Sequence, residues 1–350
     1  MKVLLIGKTR RLFGQSNFQW LEHTLCGLKR LGHDVTSFGY PESWFASKAL
    51  KRSASAVPIL PRLLDRYREG LARRQDRRLI ALARGFRPDL VLVVKGENLS
   101  SEVLAAVKKH TSGPVVTWWA DDPWRFPGFI RALGFYDHVF IWDRAYLAPL
   151  RAAGAREVHF LPAACDETVY QPAPLSRSEM RRFACDVSFV AWFYPRRGSV
   201  VRAFSSDVDL AIWGGGWRSE EARGDLPHPK ALRGSSVSTT IAAKIYRASK
   251  LGLNVHHEQT REAGLNNRTF EQLASGLCPL VDHVPGIEEL LNPGSEVVCY
   301  GSPDEAYELA KRFLKDETAR RKIASRGRTR VLAEHTYAHR LRRLIDSARG

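Results

Sequence analysis

No run of apolar residues approaches the roughly 18–20 that a membrane-spanning helix needs, so no such helix is expected. Only four apolar residues, Val3–Ile6, precede the first glycine; this predicts a buried first strand and is too short for a signal-peptide core. The five cysteines (Cys26, Cys165, Cys185, Cys278, Cys299) are odd in number, widely spaced and contain no C-x-x-C. Neither a disulfide framework nor a zinc site is expected, and a reducing cytoplasm fits best. There is no G-x-G-x-x-G after a first strand and no Walker A sequence, so NAD-dehydrogenase and P-loop readings have no motif behind them. Repeats, low complexity and coiled-coil heptads are missing as well. Acidic residues are scarce: 37 Asp+Glu stand against 54 Lys+Arg, a formal net charge of +17.

That charge is unevenly placed. Residues 48–87 hold twelve basic side chains (Lys48, Lys51, Arg52, Arg62, Arg66, Arg68, Arg73, Arg74, Arg77, Arg78, Arg84, Arg87) against three acidic ones, whereas residues 251–300 hold two basic and seven acidic. A basic face attracts phosphates of nucleic acid, anionic lipid or a phosphorylated substrate, or is simply a solvated helix face. No nucleic-acid-binding motif accompanies it, so a nucleic-acid partner is not expected.

At roughly 150 residues per domain, 350 residues imply two domains. Short apolar runs alternate with helical patterns, the sign of parallel βαβ units. Strands are predicted at Val3–Ile6, Leu90–Val94, Val115–Trp119, Val139–Trp142 and Val158–Leu161, with a helix over Phe18–Leu31 and helical spacing through the basic stretch. Pro162, Pro172, Pro174, Ser176 and Ser178 mark a linker. A second series follows, with strands at Val187–Val190, Leu210–Trp213, Leu253–His256, Pro279–Val281 and Val297–Tyr300, and helices near 240–249, 268–275, 304–315, 317–333 and 337–348. Two doubly wound α/β halves joined by a linker present a cleft between strand ends, where ligands of such sheets bind.

The segment from Ser249 to Val281 is the richest in chemistry. A buried strand ends in polar residues, a loop ends in Asn266-Asn267, a helix starts near Arg268 with Glu271 in its first turn, and Gly276 closes it. A helix N-terminus at a cleft attracts phosphates, and a carboxylate there accepts ribose hydroxyls. A plain capping arrangement, with Asn266 or Asn267 as N-cap and Glu271 favourable near the positive helix end, explains the same residues.

Asn267-Arg268-Thr269-Phe270-Glu271, with Ala274, Gly276 and Pro279-Leu280-Val281, resembles the donor-binding helix of GT-B glycosyltransferases of the group 1 type, and most of all their CgeB-like group. The resemblance runs on through Gly286-Ile287-Glu288-Glu289-Leu290 and Gly294-Ser295-Glu296 to His335-Thr336-Tyr337 and Arg340, and upstream through Ser188-Phe189-Val190 and Tyr194-Pro195-Arg196-Arg197. It covers roughly 185–345 well, and 1–165 through Leu31–Val35, Pro88–Val91 and Trp119–Pro123. It implies two Rossmann-like domains facing each other across a cleft: an acceptor domain (1–165), a linker (166–182), a donor domain (183–335) and a final helix (336–350) crossing back. It implies transfer of a sugar from a nucleoside-diphosphate sugar to a hydroxyl acceptor without a metal or other cofactor, with retention of configuration. Glu271 matches the glutamate that holds the donor ribose; the earlier glutamate of that motif is replaced by Ala263, with Glu262 one residue off.

Arg196 and Arg197 fall where the resemblance places a basic residue on the donor diphosphate, a role in which a fixed guanidinium offsets developing charge. Arg268, Asn267, Asn266, Lys250, His256 and Tyr194 complete the expected donor side. His256-His257-Glu258 is not expected to bind metal, because neighbouring side chains on an extended chain point apart. In the first half, Asp122 is the candidate base, with Asp121, Trp119, Lys95, Glu97 and Gly14 on the acceptor side. The bland alternative is that Asp122 caps a turn at Pro123 and the tryptophans pack in the core. The basic stretch is expected to meet an anionic or lipid-linked acceptor, or an anionic membrane face. Ala263 keeps open a second reading, a nucleotide- or sugar-binding protein without turnover. A basic nucleic-acid-binding protein rests on net charge alone.

Overall fold

The computed structural model describes residues 1–9, 19–41, 60–97, 99–222 and 224–349, and they form two compact units. The first comprises Met1–Ile141, Tyr146–Leu161 and Leu341–Gly350; the second comprises Trp142–Ala145 and Pro162–Arg340.

In the first unit, strands β1 (Lys2–Thr9), β2 (Asp34–Pro41), β3 (Leu90–Val94), β4 (Val115–Trp119), β5 (His138–Ile141) and β6 (Glu157–Phe160) build one sheet. Their order is β2-β1-β3-β4-β5-β6, and every pairing is parallel. Residues 3–6, 90–94 and 115–119 are buried throughout, which is why they are runs of Val, Leu, Ile and Trp broken only by Thr117. Strand β2 escapes the sequence prediction. Asp34-Val35-Thr36-Ser37-Phe38-Gly39-Tyr40 mixes polar residues with the buried Phe38 and Tyr40 because it lies at the sheet edge, covered on fewer sides. Helix α1 (Gln19–Arg30) packs on β1 and β2, and the basic stretch resolves into one long helix, α2 (Leu60–Phe86). Leu79 and Ala83 of α2 are buried, whereas Arg66, Arg73, Arg74, Arg77, Arg78 and Arg84 are exposed. Lys48, Lys51 and Arg52 lie outside the described residues.

The second unit repeats the plan. Strands β7 (Cys185–Val190), β8 (Leu210–Trp213), β9 (Leu232–Gly234), β10 (Ser249–Asn254), β11 (Cys278–Asp282) and β12 (Val298–Tyr300) form a parallel sheet of order β12-β11-β10-β7-β8-β9. The chain runs outward from β7 to β9, then returns to the other side of β7 and continues through β12. The strand order therefore reverses between β7 and β10, and the carboxyl ends of these two strands frame the switch point where doubly wound sheets take ligands. Helices α3 (Ser101–Lys108), α4 (Pro127–Ala132) and α5 (Leu147–Ala152) belong to the first half of the chain. Helices α6 (Arg177–Phe183), α7 (Pro195–Arg202), α8 (Thr239–Ala248), α9 (Asn267–Ala274), α10 (Pro303–Lys315), α11 (Glu317–Glu334) and α12 (Tyr337–Arg349) belong to the second.

Two expectations need correction here. The proline-rich linker ends in a true helix: Ser176 and Glu179 make a reciprocal capping box that starts α6. The strand expected at Leu253–His256 lies earlier, at Ser249–Asn254, which leaves His256 in the segment beyond the strand end.

Candidate active site of the second unit

Pro195 at the first helical position and Tyr194 as N-cap start α7 directly after β7, so two arginines arrive at the switch point together. They do different things. Arg196 is half-exposed, and its guanidinium donates to an Asp282 Oδ2 oxygen at 2.9 Å. Arg197 turns inward and is only 4% exposed. Its Nε–H donates to the Val255 carbonyl at 3.2 Å and an Nη1–H to the Trp192 carbonyl at 2.9 Å, while the Tyr194 ring lies 4.8 Å from the guanidinium. Among the described residues no carboxylate forms an ion pair with it. Burial, reinforced by the nearby Arg268 cation, pushes Arg197 down to about 9. A cation held dry beside a second cation, its hydrogen bonds spent on two carbonyls and Asp282 acting only from a distance, is arranged to receive an anion.

The opposite lip is the end of β10 and the start of α9. Asn254 is fully buried and exchanges two side-chain hydrogen bonds with Asn266, both at 3.0 Å. Asn254 Nδ2 also donates to the Thr269 hydroxyl at 2.7 Å, and the Tyr300 hydroxyl donates to the Asn254 carbonyl at 2.9 Å. Asn266 is the N-cap of α9, accepting from the Thr269 N–H at 3.3 Å. The side chain of Asn266, expected to touch the donor, is thus engaged in fixing the helix N-terminus against the strand. Asn267 turns to the Tyr337 hydroxyl at 3.4 Å. Arg268 is half-buried at the second helical position.

Glu271 lies one turn further in than expected: the first turn of α9 has no acidic residue. It is 7% exposed and sits among tyrosines. The Tyr170 hydroxyl hydrogen-bonds to it, and its charge helps burial hold the Tyr170, Tyr246 and Tyr337 phenols well above their ordinary range.

His256 is 1% exposed. Its backbone N–H donates to Asp282 Oδ1 at 2.9 Å and its Nδ1 to the same oxygen at 2.7 Å. The Asp282 carboxylate at the end of β11 therefore ties His256 and Arg196 together. Burial alone would raise it, but the His256 contacts and Arg196 hold it below the usual carboxylate range. Sequence reasoning missed Asp282 as well as Asn254 in this role; an Asp closing an otherwise apolar strand, Cys278–Asp282, was the available signal. Lys250 drops out of the group. It lies at the opposite end of β10, exposed and paired with Asp186 at 2.8 Å, away from the carboxyl ends that frame the site.

The loop before α9 explains Ala263. Asp143 is fully buried and accepts from the N–H groups of Arg261 (2.7 Å), Glu262 (3.2 Å) and Ala145 (3.0 Å). Burial raises its carboxyl above the ordinary range, and Glu262 adds to the rise. A Cβ on Gly264 would lie 2.2 Å from Asp143 Oδ2, so only glycine admits this anchor. Ala263 itself is buried with φ 53°, and its N–H donates to the Pro285 carbonyl at 2.7 Å. Ala263 has no exposed surface, so a larger side chain here has to displace its neighbours.

In the first unit, the carboxyl ends of β1, β3 and β4 carry a mixed-charge cluster. Lys8 pairs with Glu97 at 2.6 Å, and Lys95 pairs with Asp121 at 2.5 Å and with Glu97 at 3.7 Å. Lys95 adopts φ 50°, and its Nζ lies 5.6 Å from the Phe126 ring centre. Here Asp122 and Trp119 are seen in the alternative roles, cap and core. Asp122 is the N-cap of a short 3-10 turn, Pro123–Arg125, its Oδ1 accepting from the Trp124 N–H at 3.0 Å. Trp119 is fully buried and stacked on Phe129 at 3.9 Å, a core residue and not a sugar platform. Gly14 lies outside the described residues. No group of His, Cys, Asp and Glu able to hold a metal ion occurs among the described residues.

Residues 196–346 match the family described as glycosyl transferase-like. No curated protein matches the chain significantly. Among solved structures, the chain is similar to HepE from Anabaena in complex with UDP and glucose, at 14% identity and TM-score 0.66 over 99% of both chains. It is similar to a glycosyltransferase from Rickettsia africae, at 12% identity and TM-score 0.66 over 99% of this chain and 98% of that one. It is also similar to sucrose-phosphate synthase from Thermosynechococcus elongatus, at 14% identity and TM-score 0.64 over 99% and 98%. The chain thus has the two-sheet GT-B fold, and its residues 196–346 are a glycosyl transferase-like domain.

Proposed function

We propose that the protein transfers a sugar from a nucleoside-diphosphate sugar to a hydroxyl acceptor, with the donor held by the second unit and the acceptor by the first. The observation that carries this reading is Arg197, a buried cation at the switch point of a parallel sheet that forms no ion pair with a carboxylate among the described residues and lies near Arg268 in the first turn of α9. An anionic leaving group is what such a seat stabilises. As the glycosidic bond breaks, the diphosphate gains charge, and the preorganised guanidinium, Arg268 and the helix N-terminus offset it. These groups take the place a divalent metal has elsewhere, so the reaction is metal-independent in this reading. Glu271 accepts the ribose hydroxyls, and HepE, solved with UDP and with UDP-glucose, supports a uridine nucleotide as the donor class.

Retention of configuration and membership of the CgeB-like group follow from the motif resemblance. On the acceptor side, Asp121 and Glu97 supply carboxylates and Lys8 and Lys95 neutralise them, a seat suited to hydroxyls. The exposed arginines of α2 dock the enzyme on an anionic lipid face or steer an anionic acceptor, in a reducing, cytoplasmic setting. No described helix is long and apolar enough to cross a membrane, so any such contact is peripheral. Co-sedimentation with anionic but not neutral liposomes, lost at high salt, checks this part.

The central test is a thermal-shift screen of nucleoside diphosphates and their sugars, followed by sugar release from the stabilising donor. A ligand that binds only the folded state raises its stability. Stabilisation by a nucleotide sugar with turnover supports the transferase. Stabilisation without turnover in the presence of any acceptor supports a binding protein that has lost catalysis, the reading that Ala263 favours.

A further inference from the structure

We propose that Trp192 is a stacking platform for the base of the nucleoside diphosphate. This deepens the donor-site reading and rests on it. Trp192 is 50% exposed, the most open of the large apolar side chains among the described residues. Its exposure does not come from a loose loop. The chain leaving β7 stays tied to the chain leaving β8: the Ala191 N–H donates to the Trp213 carbonyl and the Phe193 N–H to the Gly215 carbonyl, both at 2.9 Å. Ala191 and Phe193 are buried, Phe193 edge-on to Trp217, whose indole N–H donates to the Ala191 carbonyl at 2.8 Å. Trp192 and Tyr194 alternate with them and are therefore turned outward on a fixed backbone.

The indole lies on glycine. A Cβ placed on Gly215 would stand 2.8, 2.9 and 3.0 Å from the Cζ2, Cη2 and Cε2 atoms of Trp192. Nearly equal distances to three consecutive ring atoms put that point over the face of the ring. One face thus rests on a residue without a side chain, any larger residue would lift it, and the other face stays open. The platform adjoins the anion seat: the Trp192 carbonyl accepts from Arg197 Nη1 at 2.9 Å, and the Tyr194 ring, on the same side of the extended chain, lies 4.8 Å from the Arg197 guanidinium. With the diphosphate on Arg197, the part of the ligand that can use the indole is the base. It alone of base, ribose and diphosphate has a flat π face. A sugar ring needs directed partners for its hydroxyls, and the neighbouring Gly214, Gly215 and Gly216 bring no side chain to supply them. A glycine bed reads no base edge either, so the stack serves every base alike.

The test uses the full-length chain and titration calorimetry with UDP, GDP, ADP, CDP, dTDP and inorganic pyrophosphate. Trp192→Ala should weaken every nucleoside diphosphate that the wild type binds by at least about fivefold, the loss of one base stack. Trp192→Phe keeps a π face and should stay within about threefold of the wild type. Trp192→Leu is apolar without a π face and should behave like the alanine variant. Pyrophosphate carries no base and should bind all four proteins equally. Should the alanine variant not fold, the leucine and phenylalanine variants carry the same contrast. Wild-type nucleotide affinity in Trp192→Ala, a parallel loss of pyrophosphate affinity, or Trp192→Leu matching Trp192→Phe overturns the inference while leaving the donor site standing. Failure of the wild type to bind any of the five nucleotides overturns the donor-site reading and this inference with it.

Discussion

Replacing Arg197 by methionine separates the two things a buried arginine can be, a structural brace or a seat for charge. In the free protein the change removes two donated hydrogen bonds and leaves the Val255 and Trp192 carbonyls bare, at a cost of about 1–3 kcal/mol for each that water does not reach. It also removes a dry cation that lies near Arg268 and has no ion-pair partner among the described residues, and relief of that penalty amounts to several kcal/mol. The two effects oppose each other, so the stability of the free protein should change by no more than about 2 kcal/mol in either direction. With donor bound, nothing opposes the loss. One charged hydrogen bond to the diphosphate is worth about 1.5–3 kcal/mol in the ground state, and a preorganised donor to developing charge about 2.7–4 kcal/mol in the transition state. Donor KM should therefore rise about tenfold, and kcat should fall by about two to three orders of magnitude. Initial rates with the nucleotide sugar that stabilises the wild type, paired with chemical denaturation of the free variant, measure both halves. A variant that loses more than about 3 kcal/mol of stability yet keeps kcat within threefold would show Arg197 to be a brace, and the anion-seat reasoning would be wrong.

Glu271→Gln should weaken nucleoside diphosphate binding by about tenfold, the loss of a charged hydrogen bond to ribose, while inorganic pyrophosphate binds as to the wild type; equal losses for both ligands would remove the ribose assignment. Asn254→Ala strands the Asn266 amide and the Thr269 hydroxyl, and should cost about 1–3 kcal/mol in urea denaturation, together with weaker nucleotide binding as the α9 N-terminus loosens; an unchanged midpoint counts against the Asn254–Asn266 tie. His335 is neutral in the folded state, because burial and then Arg340 push it down to about 3, with its ring nitrogens on the Leu290 carbonyl and Arg340. The unfolded chain binds that proton near pH 6.5, so this stabilising contribution is complete above about 6.5 and is lost as pH falls, by about 2 kcal/mol at pH 5. His335→Gln should flatten that slope between pH 7 and 5, and parallel slopes would refute the assignment.

Much of the architecture was legible because both sheets are parallel and buried on two faces. Leu90–Val94, Val115–Trp119 and Leu210–Trp213 stand out as apolar runs, and α9 announces itself through Asn266, Gly276 and the spacing between them. Strand β2 was invisible for the converse reason, since an edge strand needs no apolar run. The short helix α7 was hidden too, because Pro195-Arg196-Arg197-Gly198 has turn-like composition and its helical start is set by the strand that delivers it.

The sequence by itself determined which residue types were available at the strand ends: two arginines after β7, an asparagine closing β10, a glutamate on α9. Chemistry of that kind is local, and a motif records it. Which of those residues are buried, paired or brought together was decided by tertiary structure. Arg196 and Arg197 are neighbours, yet helical geometry sends one to Asp282 and the other into the protein, and only the distant β11 strand supplies the carboxylate that tells them apart. The same carboxylate orients His256 from 26 residues away, Asp143 anchors the loop before α9 from more than a hundred, and Lys250 is removed simply by standing at the wrong end of its strand. Burial, pairing and strand direction are properties of the packed sheet, and no spacing along the chain encodes them.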